Sequence, residues 1–336
     1  MSVSAIDEVG EAAGTPVARA GAVLAIDGGN SKTEVVLVDE GGDVLARARS
    51  GPFTPQTSGV PAAIAVAAEA VRKLRGQLPE GSAAGDAPLA RHLAAYVAGA
   101  DLPVEEDVLA VAFAAQGWAD TAEVGNDTFA VLRAGATRPY AVAVVCGAGV
   151  NCVGIGPDGR RARFPALGRL TGDWGGGYFL GTEALWHAIR GEDGRGPATA
   201  LTEAVAAHFG SATVEEIALA MHFGELSDER LHELSPVLMA TATAGDAVAY
   251  GTVDRMAEEV VTLARVALSR LDMLASPMEV VLGGGVLQAR IPLLMQRIQH
   301  HAAVQIPAAE LIVASEAPVL GAARLGLDSL RREGWA

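Results

Sequence analysis

Two glycines followed by a Lys-Thr pair stand in the stretch AIDGGNSKTEVVLVDEGG, residues 25–42. A phosphate-binding P-loop needs a glycine immediately before the lysine and a helix immediately after the pair. Here Ser31 precedes Lys32, and the β-branched run 35–38 follows before a turn. The pattern therefore predicts two strands joined by a glycine bend, with Asp27 at the end of the first strand.

The same arrangement occurs a second time in YAVAVVCGAGVNCVGIGPDGRRARF, residues 140–164. A β-branched run leads to a glycine bend at 147–149, a second short apolar strand and a Pro-Asp-Gly turn. One glycine hairpin is common in sheet proteins, but two at similar spacing predict two related half-domains. Each half would present a bend rich in N–H groups to a shared cleft.

Two later segments complete the pattern. In MEVVLGGGVLQARIPLLMQRI, residues 278–298, a strand over 280–282 runs into three glycines and then into a predicted amphipathic helix. Glycines at such a junction let a flat ligand approach the backbone closely. The segment 311–330 predicts a last strand and a helix that begins at Pro318.

Composition limits the possible functions. The 336 residues are 50% hydrophobic and carry a formal net charge of −15. A chain of this length favours two domains over one, and its acidity disfavours nucleic acid and anionic membranes as partners. No apolar run reaches the length of a membrane span. The small, polar start of the chain predicts a mobile tail over residues 1–21 and a cytoplasmic location.

Cysteine and lysine are scarce. Cys146 and Cys152 stand on either side of the second bend, where small buried residues are expected rather than a disulfide. Lysine occurs only as Lys32 and Lys73. Any phosphate contacts must therefore come mainly from backbone N–H groups, helix ends, metal ions and a few arginines.

The two bends, the glycine triplet and the closing helix resemble the phosphate-1, phosphate-2 and adenosine motifs of the sugar kinase, heat-shock protein and actin superfamily. Their order and spacing are similar to those of the N-acetylglucosamine kinase and BadF/BadG/BcrA/BcrD ATPase family. The resemblance implies an α/β fold with two ribonuclease H-like domains of the actin/hexokinase type around a nucleotide cleft. It places these domains at 22–125 and 126–336, with a helical insertion at about 178–275 and a last helix that packs on the first domain.

The resemblance also implies ATP and Mg²⁺ as cofactors. The residues expected to bind the nucleotide lie in the three glycine segments: Gly28, Gly29, Asn30, Ser31, Lys32, Thr33, Gly147, Ala148, Gly149, Gly283, Gly284 and Gly285. Asp27 would hold Mg²⁺ through water, the alternative being a cap of the turn. The Lys32 side chain would either face the phosphates or be a solvated turn residue.

A catalytic acid is expected just ahead of the second hairpin. The stretch EVGNDTFAVLRAG, residues 123–135, predicts a short helix with Asn126 and Asp127 at its start. In the family this position carries the acid that accepts the proton of the sugar 6-hydroxyl, and the resemblance gives that role to Asp127. A helix cap is the structural alternative, because Asp is a favoured N-cap residue.

Sugar contacts are implied at several positions. The stretch LGRLTGDWGGGYFLGTEAL, residues 167–185, resembles the Gly-Asp-Glu-Gly-Ser signature of the family, with Asp173 at its acid. Asn151 matches another sugar contact of the family, and Asn126 is also expected to bind the substrate. Gln116 and Gly117 would form the substrate loop at the end of a strand predicted over 108–115.

This chain also departs from the family pattern. Residues 147–150 read Gly-Ala-Gly-Val in place of Gly-Thr-Gly-Ser, which removes two hydroxyl groups. Trp174 stands where the family has Glu, so we expect it to form a flat wall of the acceptor pocket, with a position in the core as the alternative. These changes preserve the kinase pattern but affect the choice of acceptor.

The expected function is transfer of the γ-phosphoryl group of ATP to the 6-hydroxyl of glucosamine, a small-molecule amino sugar. N-acetylglucosamine is the alternative, and a non-catalytic sugar sensor or a dehydratase-activator ATPase would be of another class. The preference for glucosamine rests on Trp174 taking the room of an acetyl group and on Asp120 and Glu123 lying near the ammonium. Monomer and homodimer both remain open.

Overall fold

The computed structural model describes residues 19–79 and 87–333, so all but the last three residues of the predicted tail lie outside it. Two five-stranded sheets organise these residues. The first sheet contains β1 (Gly21–Gly28), β2 (Thr33–Val38), β3 (Val44–Ser50), β4 (Ala90–Val97) and β5 (Ala119–Asn126). The second contains β6 (Ala141–Cys146), β7 (Val150–Ile155), β8 (Arg161–Arg163), β9 (Glu279–Gly283) and β10 (Glu310–Val313).

The two sheets have the same topology. Their strand orders are β3-β2-β1-β4-β5 and β8-β7-β6-β9-β10. In each, three antiparallel strands in sequence order are extended by two parallel strands. The repeated glycine hairpin predicted from the sequence is therefore the β1–β2 turn of one sheet and the β6–β7 turn of the other.

Helices cover the sheets and connect them. Those before the second sheet are α1 (Pro55–Ser58), α2 (Val60–Arg75), α3 (Pro103–Ala114) and α4 (Asp127–Gly135). Between β8 and β9 lie α5 (Gly177–Glu192), α6 (Leu201–Phe209), α7 (Val214–His222), α8 (Leu234–Thr243) and α9 (Ala247–Arg270), with 3₁₀ helices at Gly168–Thr171 and Asp228–Glu233. The remaining helices are α10 (Gly285–Gln288), α11 (Pro292–Gln305) and α12 (Pro318–Glu333).

A shared core joins the two sheets. Val23 of β1, Phe129 of α4, Val281 of β9 and Val319 of α12 belong to one cluster of buried apolar residues. Helices α4 and α12 thus lie between the sheets, and α12 packs on β1 and β4 as well as on α4. Burial of apolar area from both halves in one cluster stabilises their association.

One predicted strand is wrong. Residues 108–115, expected to be extended, lie in the second half of α3 and just beyond it. An apolar run this short has no periodicity that separates a buried strand from a helix. The residues at the start of the segment favour the helix over the strand, because Pro103 occupies its first position. The Glu105 carboxylate also accepts hydrogen bonds from the N–H groups of Asp101 and Leu102, at 3.0 and 2.9 Å.

The helix predicted after the glycine triplet is also interrupted. It is divided into the short α10 and the longer α11, with Arg290 between them in a left-handed conformation at φ 51°. Pro292 follows at the first position of α11. A proline cannot continue a helix from its N-terminal side, because it has no N–H to donate and its ring meets the preceding turn.

None of the helices in 19–79 and 87–333 combines the length and the apolar character that crossing a membrane requires.

Candidate active site

The glycine bends of the two sheets face each other across one cavity. This cavity of about 310 Å³ has Asn30 of the β1–β2 bend on one side and residues 147–149 of the β6–β7 bend on the other. The side chains of Asp101, Asp127 and Asn151 also line it. The two halves of the chain therefore build a single site at the carboxyl ends of β1, β4 and β6, where open α/β sheets bind ligands.

Both bends leave N–H groups available. Each bend contains one internal backbone hydrogen bond. Gly29 N–H donates to the Lys32 carbonyl at 2.9 Å, and Gly147 N–H donates to the Gly149 carbonyl at 3.0 Å. Within the described part of the chain, the N–H groups of Asn30 and Ser31 in the first bend and of Ala148 and Gly149 in the second have no hydrogen-bond partner. Successive free N–H groups of this kind form a concave site for anions such as phosphate oxygens.

The second bend is held from behind by the start of α5. Gly177 N–H donates to the Gly147 carbonyl at 2.7 Å, and Tyr178 N–H donates to the Ala148 carbonyl at 3.0 Å. Gly176 has φ 87°, and a Cβ on it would lie 2.5 Å from the Ala148 carbonyl oxygen. The glycine run before α5 therefore permits a backbone contact that shapes the bend.

The third glycine segment lies beside the second bend. Gly284, with φ 80°, is so close to the end of β6 that a Cβ would collide with the backbone of Cys146. This contact places 283–285 next to 147–149. The second and third segments predicted to bind nucleotide therefore lie on the same side of the cleft, and the first bend lies on the other side.

Asp127 faces this cavity because its neighbour caps the helix. The Asn126 side chain accepts a hydrogen bond from Thr128 N–H at 3.0 Å and is the N-cap of α4. Asp127 occupies the first helical position and lines the cavity. The alternative that Asp127 is the cap is wrong. Burial raises the pKa of the Asp127 carboxyl to about 6, since water no longer fully solvates its charged form.

Asn126 is the buried member of a partly buried chain of hydrogen bonds. Its carbonyl accepts from Asn151 Nδ2 at 3.2 Å, and its own Nδ2 donates to Asp101 Oδ1 at 2.8 Å. The side chain of Asn126 is 2% exposed, and it does not line the cavity. The predicted sugar contact by Asn126 is therefore corrected to a supporting role, since its polar atoms are already bonded to Thr128, Asn151 and Asp101.

Asp27 and Glu34 are opposite residues on β1 and β2. Glu34 is fully buried and accepts hydrogen bonds from Arg47 at 2.5 Å and Arg49 at 2.9 Å. Lys32 Nζ also lies 3.4 Å from a Glu34 oxygen, so its ammonium is directed to this buried carboxylate. Asp27 receives no such cationic hydrogen bond from the described residues.

Asp27 can contribute to a magnesium site. Burial, followed by the charges of Asp127 and Glu34, raises the pKa of Asp27 to about 7. A divalent cation would relieve this unfavourable concentration of negative charge. In 19–79 and 87–333 no group of three or more His, Cys, Asp or Glu side chains could hold a metal alone. The donor set still fits Mg²⁺, which keeps several waters and binds proteins through one or two carboxylates plus phosphates.

Gln116 and Gly117 are far from the cleft. They precede β5, whose first residue Ala119 pairs with Ala90 and whose last residue Asn126 pairs with Val97 at the cleft end. The eight residues of β5 separate the two ends by about 20 Å. The substrate-loop prediction is wrong, because the segment assigned as a strand is a helix that delivers the chain to the opposite edge of the sheet.

Asp120 and Glu123 do not reach the cavity either. Asp120 forms an ion pair with Arg19 at 2.6 Å. Glu123 accepts hydrogen bonds from the Tyr96 hydroxyl at 2.6 Å and the Ser329 hydroxyl at 2.8 Å, beneath α12. The expectation that these acids meet an ammonium of the acceptor is wrong.

Trp174 belongs to the core of the second half. Its side chain is 8% exposed, its ring centroid lies 5.0 Å from that of Phe179, and the Arg255 guanidinium is 4.3 Å from its centroid. The prediction of a wall in the acceptor pocket is wrong, and the core alternative is correct. Asp173 beside it accepts hydrogen bonds from Gly168 N–H at 2.9 Å and Thr171 Oγ1 at 2.8 Å.

Asp173 lines a second cavity of about 380 Å³ that shares Ala148, Gly149, Val150 and Ala166 with the first.

The side chains of Asp101 and Gln56 line the first cavity, although neither was among the predicted site residues. Asp101 follows β4 closely in the sequence. The position of a polar residue just after a parallel strand is a signal that could have identified it.

We expect Asp27→Asn to stabilise the ligand-free protein at alkaline pH. In the folded protein the pKa of Asp27 is about 7, well above the ordinary aspartate value of 3.8. The contribution of the Asp27 carboxyl to the free energy of unfolding is therefore largest at low pH, where it is protonated, and is lost as the pH rises through about 7. At pH 8 the variant should exceed wild type by on the order of 2–4 kcal/mol in unfolding free energy, and by less at pH 5.5.

Urea unfolding in EDTA at both pH values measures this difference. Asp43→Asn, at an exposed turn residue before β3, is the control and should alter stability little. If Asp27→Asn stabilised the protein equally at pH 5.5 and pH 8, the stabilisation would not come from removing the ionised carboxylate of Asp27.

Comparisons with known proteins agree with this architecture. Residues 24–326 match the model of the BadF/BadG/BcrA/BcrD ATPase family. The chain is 26% identical to N-acetyl-D-glucosamine kinase of Dictyostelium discoideum, over 91% of this chain and 98% of that protein. It is 24% identical to N-acetylmuramic acid/N-acetylglucosamine kinase of Clostridium acetobutylicum, over 79% of this chain and 85% of that one.

Solved structures show the same fold. A protein of Chromobacterium violaceum assigned as an N-acetylglucosamine kinase superposes with a TM-score of 0.70 at 22% identity, covering 91% of this chain and 98% of its own. A ROK family glucokinase of Streptomyces griseus, solved with glucose and AMPPNP, has a TM-score of 0.53 at 19% identity, covering 94% and 100%. The α/β fold of two repeated sheets is thus the actin/hexokinase-type fold predicted from the glycine motifs. With a family model matching nearly its whole length, the chain belongs to the BadF/BadG/BcrA/BcrD ATPase family.

Proposed function

We propose that this chain is an ATP-dependent kinase that transfers the γ-phosphoryl group to the 6-hydroxyl of an amino sugar. The observation that carries the proposal is the cavity between the halves, where two bends with free N–H groups meet the half-buried carboxylate of Asp127. Phosphoryl transfer needs this combination of phosphate positioning and a base for the acceptor hydroxyl. The names of the two curated relatives support an amino sugar as acceptor.

Each part of the site has a role in this reaction. Asp127 accepts the proton of the 6-hydroxyl while the bond from O6 to the γ-phosphorus forms and the bond to the bridging oxygen of ADP breaks. A carboxylate with a pKa of about 6 is ionised near neutral pH, yet it is a better proton acceptor than an exposed aspartate. The N–H groups of the two bends, over 28–33 and 147–149, would bind the phosphates, and 283–285 would lie against the adenosine.

Asp27 would hold Mg²⁺ through water, and the bound ion supplies neutralisation of charge on the β- and γ-phosphates. Asn151 and Asp173 line the two connected cavities and are proposed as acceptor contacts. We further propose that 22–125 and 126–336 move as two domains that close on the substrates. Closure would exclude water, which competes with the sugar for the phosphoryl group. An ATP-dependent reaction of this kind is expected in the cytoplasm.

Other functional classes have less support. A dehydratase activator holds an iron–sulfur cluster through cysteine thiolates. Cys146 and Cys152 are both fully buried in the core of the second half, and burial raises their pKa values far above the ordinary range. A non-catalytic sugar sensor would not need a half-buried carboxylate with a raised pKa at the meeting point of two phosphate bends.

A coupled assay of ADP release tests the proposal. The purified protein with MgATP should release ADP only when a sugar is added, in a panel of N-acetylglucosamine, glucosamine, N-acetylmuramic acid and glucose. Mass spectrometry should show a phosphorylated sugar, and the 6-deoxy analogue of the best acceptor should be inactive. EDTA is the control for metal dependence. ADP release that is the same without sugar, or absent with every sugar, would contradict the proposal.

A further inference from the structure

Asp101 presents one carboxylate oxygen to the cavity. Its Oδ1 accepts the hydrogen bond from Asn126 Nδ2 at 2.8 Å. Its Oδ2 has no hydrogen-bond partner among residues 19–79 and 87–333, and the side chain lines the cavity that also contains Asp127. A carboxylate with one oxygen fixed and the other open is arranged to bind a donor group of a ligand.

The loop that carries Asp101 is held rigidly from both halves. Arg163 of β8 donates to the carbonyls of Ala100 and Asp101 at 3.2 and 3.1 Å, and it forms an ion pair with Glu106 of α3 at 2.8 Å. Glu105 accepts the N–H of Asp101 at 3.0 Å. These bonds fix the carboxylate before a ligand arrives, so little conformational entropy is lost on binding.

The charge of the cavity is negative. Asp101 and Asp127 are its charged side chains, and the other polar side chains are the neutral amides of Asn30, Gln56 and Asn151 and the hydroxyl of Thr128. Of the lysine, arginine and histidine residues in 19–79 and 87–333, none lines this cavity. Burial, followed by the charge of Asp127, raises the pKa of Asp101 to about 6. A cationic group placed beside Asp101 would relieve the repulsion between the two carboxylates.

We propose that Asp101 is a specificity-determining residue whose free oxygen receives the C2 ammonium of a 2-amino-2-deoxyhexose, so that the enzyme favours the free amine over the N-acetylated sugar and glucose. The inference rests on the proposed kinase function. In a pyranose, C2 and the carbon that bears C6 lie across the ring from each other. Asp101 can therefore bind the amine while Asp127 acts on the 6-hydroxyl.

The test compares kcat/KM for glucosamine, N-acetylglucosamine and glucose in wild type and Asp101→Asn. Wild type should favour glucosamine over glucose by about tenfold or more, the range of a charge-assisted contact in a partly desolvated site. Asp101→Asn should lower kcat/KM for glucosamine by about tenfold or more and leave glucose within about threefold, because the amide keeps an oxygen acceptor for Asn126.

Asp120→Asn is the matched control, since it removes a carboxylate that pairs with Arg19 away from the cavity. It should leave the ratio of the three sugars unchanged. Thermal unfolding checks that each variant folds, and calorimetric binding of glucosamine to wild type, compared with glucose, supplies a readout that needs no variant.

An equal loss of kcat/KM for all three sugars in Asp101→Asn would overturn the inference, because it would show a role only through Asn126. A wild-type preference for N-acetylglucosamine would overturn it as well. These results leave the kinase function intact. Failure of wild type to phosphorylate any sugar is a separate outcome, which refutes the proposed function and the inference together.

Discussion

Asp127→Asn is expected to lower kcat by about three orders of magnitude with the preferred sugar. The amide cannot accept the proton of the 6-hydroxyl, so the attacking oxygen keeps its proton as the bond to phosphorus forms. The substitution preserves size, and Asn126 remains the cap of α4 through its hydrogen bond to Thr128 N–H. Affinity for ATP should therefore stay within about threefold of wild type, since the phosphate bends are unaffected.

Steady-state kinetics and calorimetric titration of a non-hydrolysable nucleotide measure the two quantities separately. Asp158→Asn removes an exposed carboxylate of the β7–β8 turn and is the control, expected to keep wild-type turnover. If Asp127→Asn kept more than about a tenth of wild-type kcat, Asp127 would not be the base, because loss of general base catalysis costs about a hundredfold or more.

Gly176→Ala is expected to destabilise the fold and abolish nucleotide binding. The residue has φ 87°, and the added Cβ would lie 2.5 Å from the Ala148 carbonyl oxygen. With ψ 165°, the backbone of Gly176 lies in a region that is essentially restricted to glycine and costs alanine about 1–3 kcal/mol, and the overlap with a backbone that cannot rotate away adds about 1–3 kcal/mol. Relief of the overlap would move 147–149, so the free N–H groups of the second bend would lose their arrangement.

Gly59→Ala is a matched control for this prediction. Gly59 has φ 81° and ψ 153°, close to the angles of Gly176, but a Cβ there would meet only a side-chain atom of Pro61, at an ordinary contact distance of 3.9 Å. It should show the conformational penalty alone and retain affinity for nucleotide. Urea unfolding and titration of ATP distinguish the two variants. Equal losses of stability and affinity in both would show that the close contact at Gly176 is not what shapes the bend.

Short sequence patterns were sufficient to predict the two hairpins and the start of one helix. The β-branched runs and glycine bends at 25–42 and 140–164 predicted the two hairpins, which the sheets confirm. Asn126 and Asp127 were correctly placed at the start of a short helix. Such features depend on φ/ψ preferences and on hydrogen bonds between residues a few positions apart, so they can be read without knowledge of the rest of the chain.

Errors arose where local patterns were ambiguous. The apolar run 108–115 fits a strand or a helix, and the wrong choice placed Gln116 and Gly117 at the cleft when they lie at the other end of β5. Asp120 and Glu123 follow Gln116 and Gly117 closely in the sequence, so they were wrongly expected beside the acceptor for the same reason. A strand and a helix carry the chain to different ends of a sheet, so one error in an element misplaces the residues that follow it.

By itself the sequence determined the repeated strand and glycine pattern, and with it the family and the fold, because backbone preferences are set by neighbouring residues. Only the tertiary structure decided which side chains meet. Trp174 lies in the core because Phe179 and Arg255, from two different helices, pack on it. Asp101 faces the cavity because Asn126 and Arg163, distant in sequence, hold its loop in place. Contacts between residues so far apart depend on the packing of whole elements, for which a short stretch of sequence contains no information.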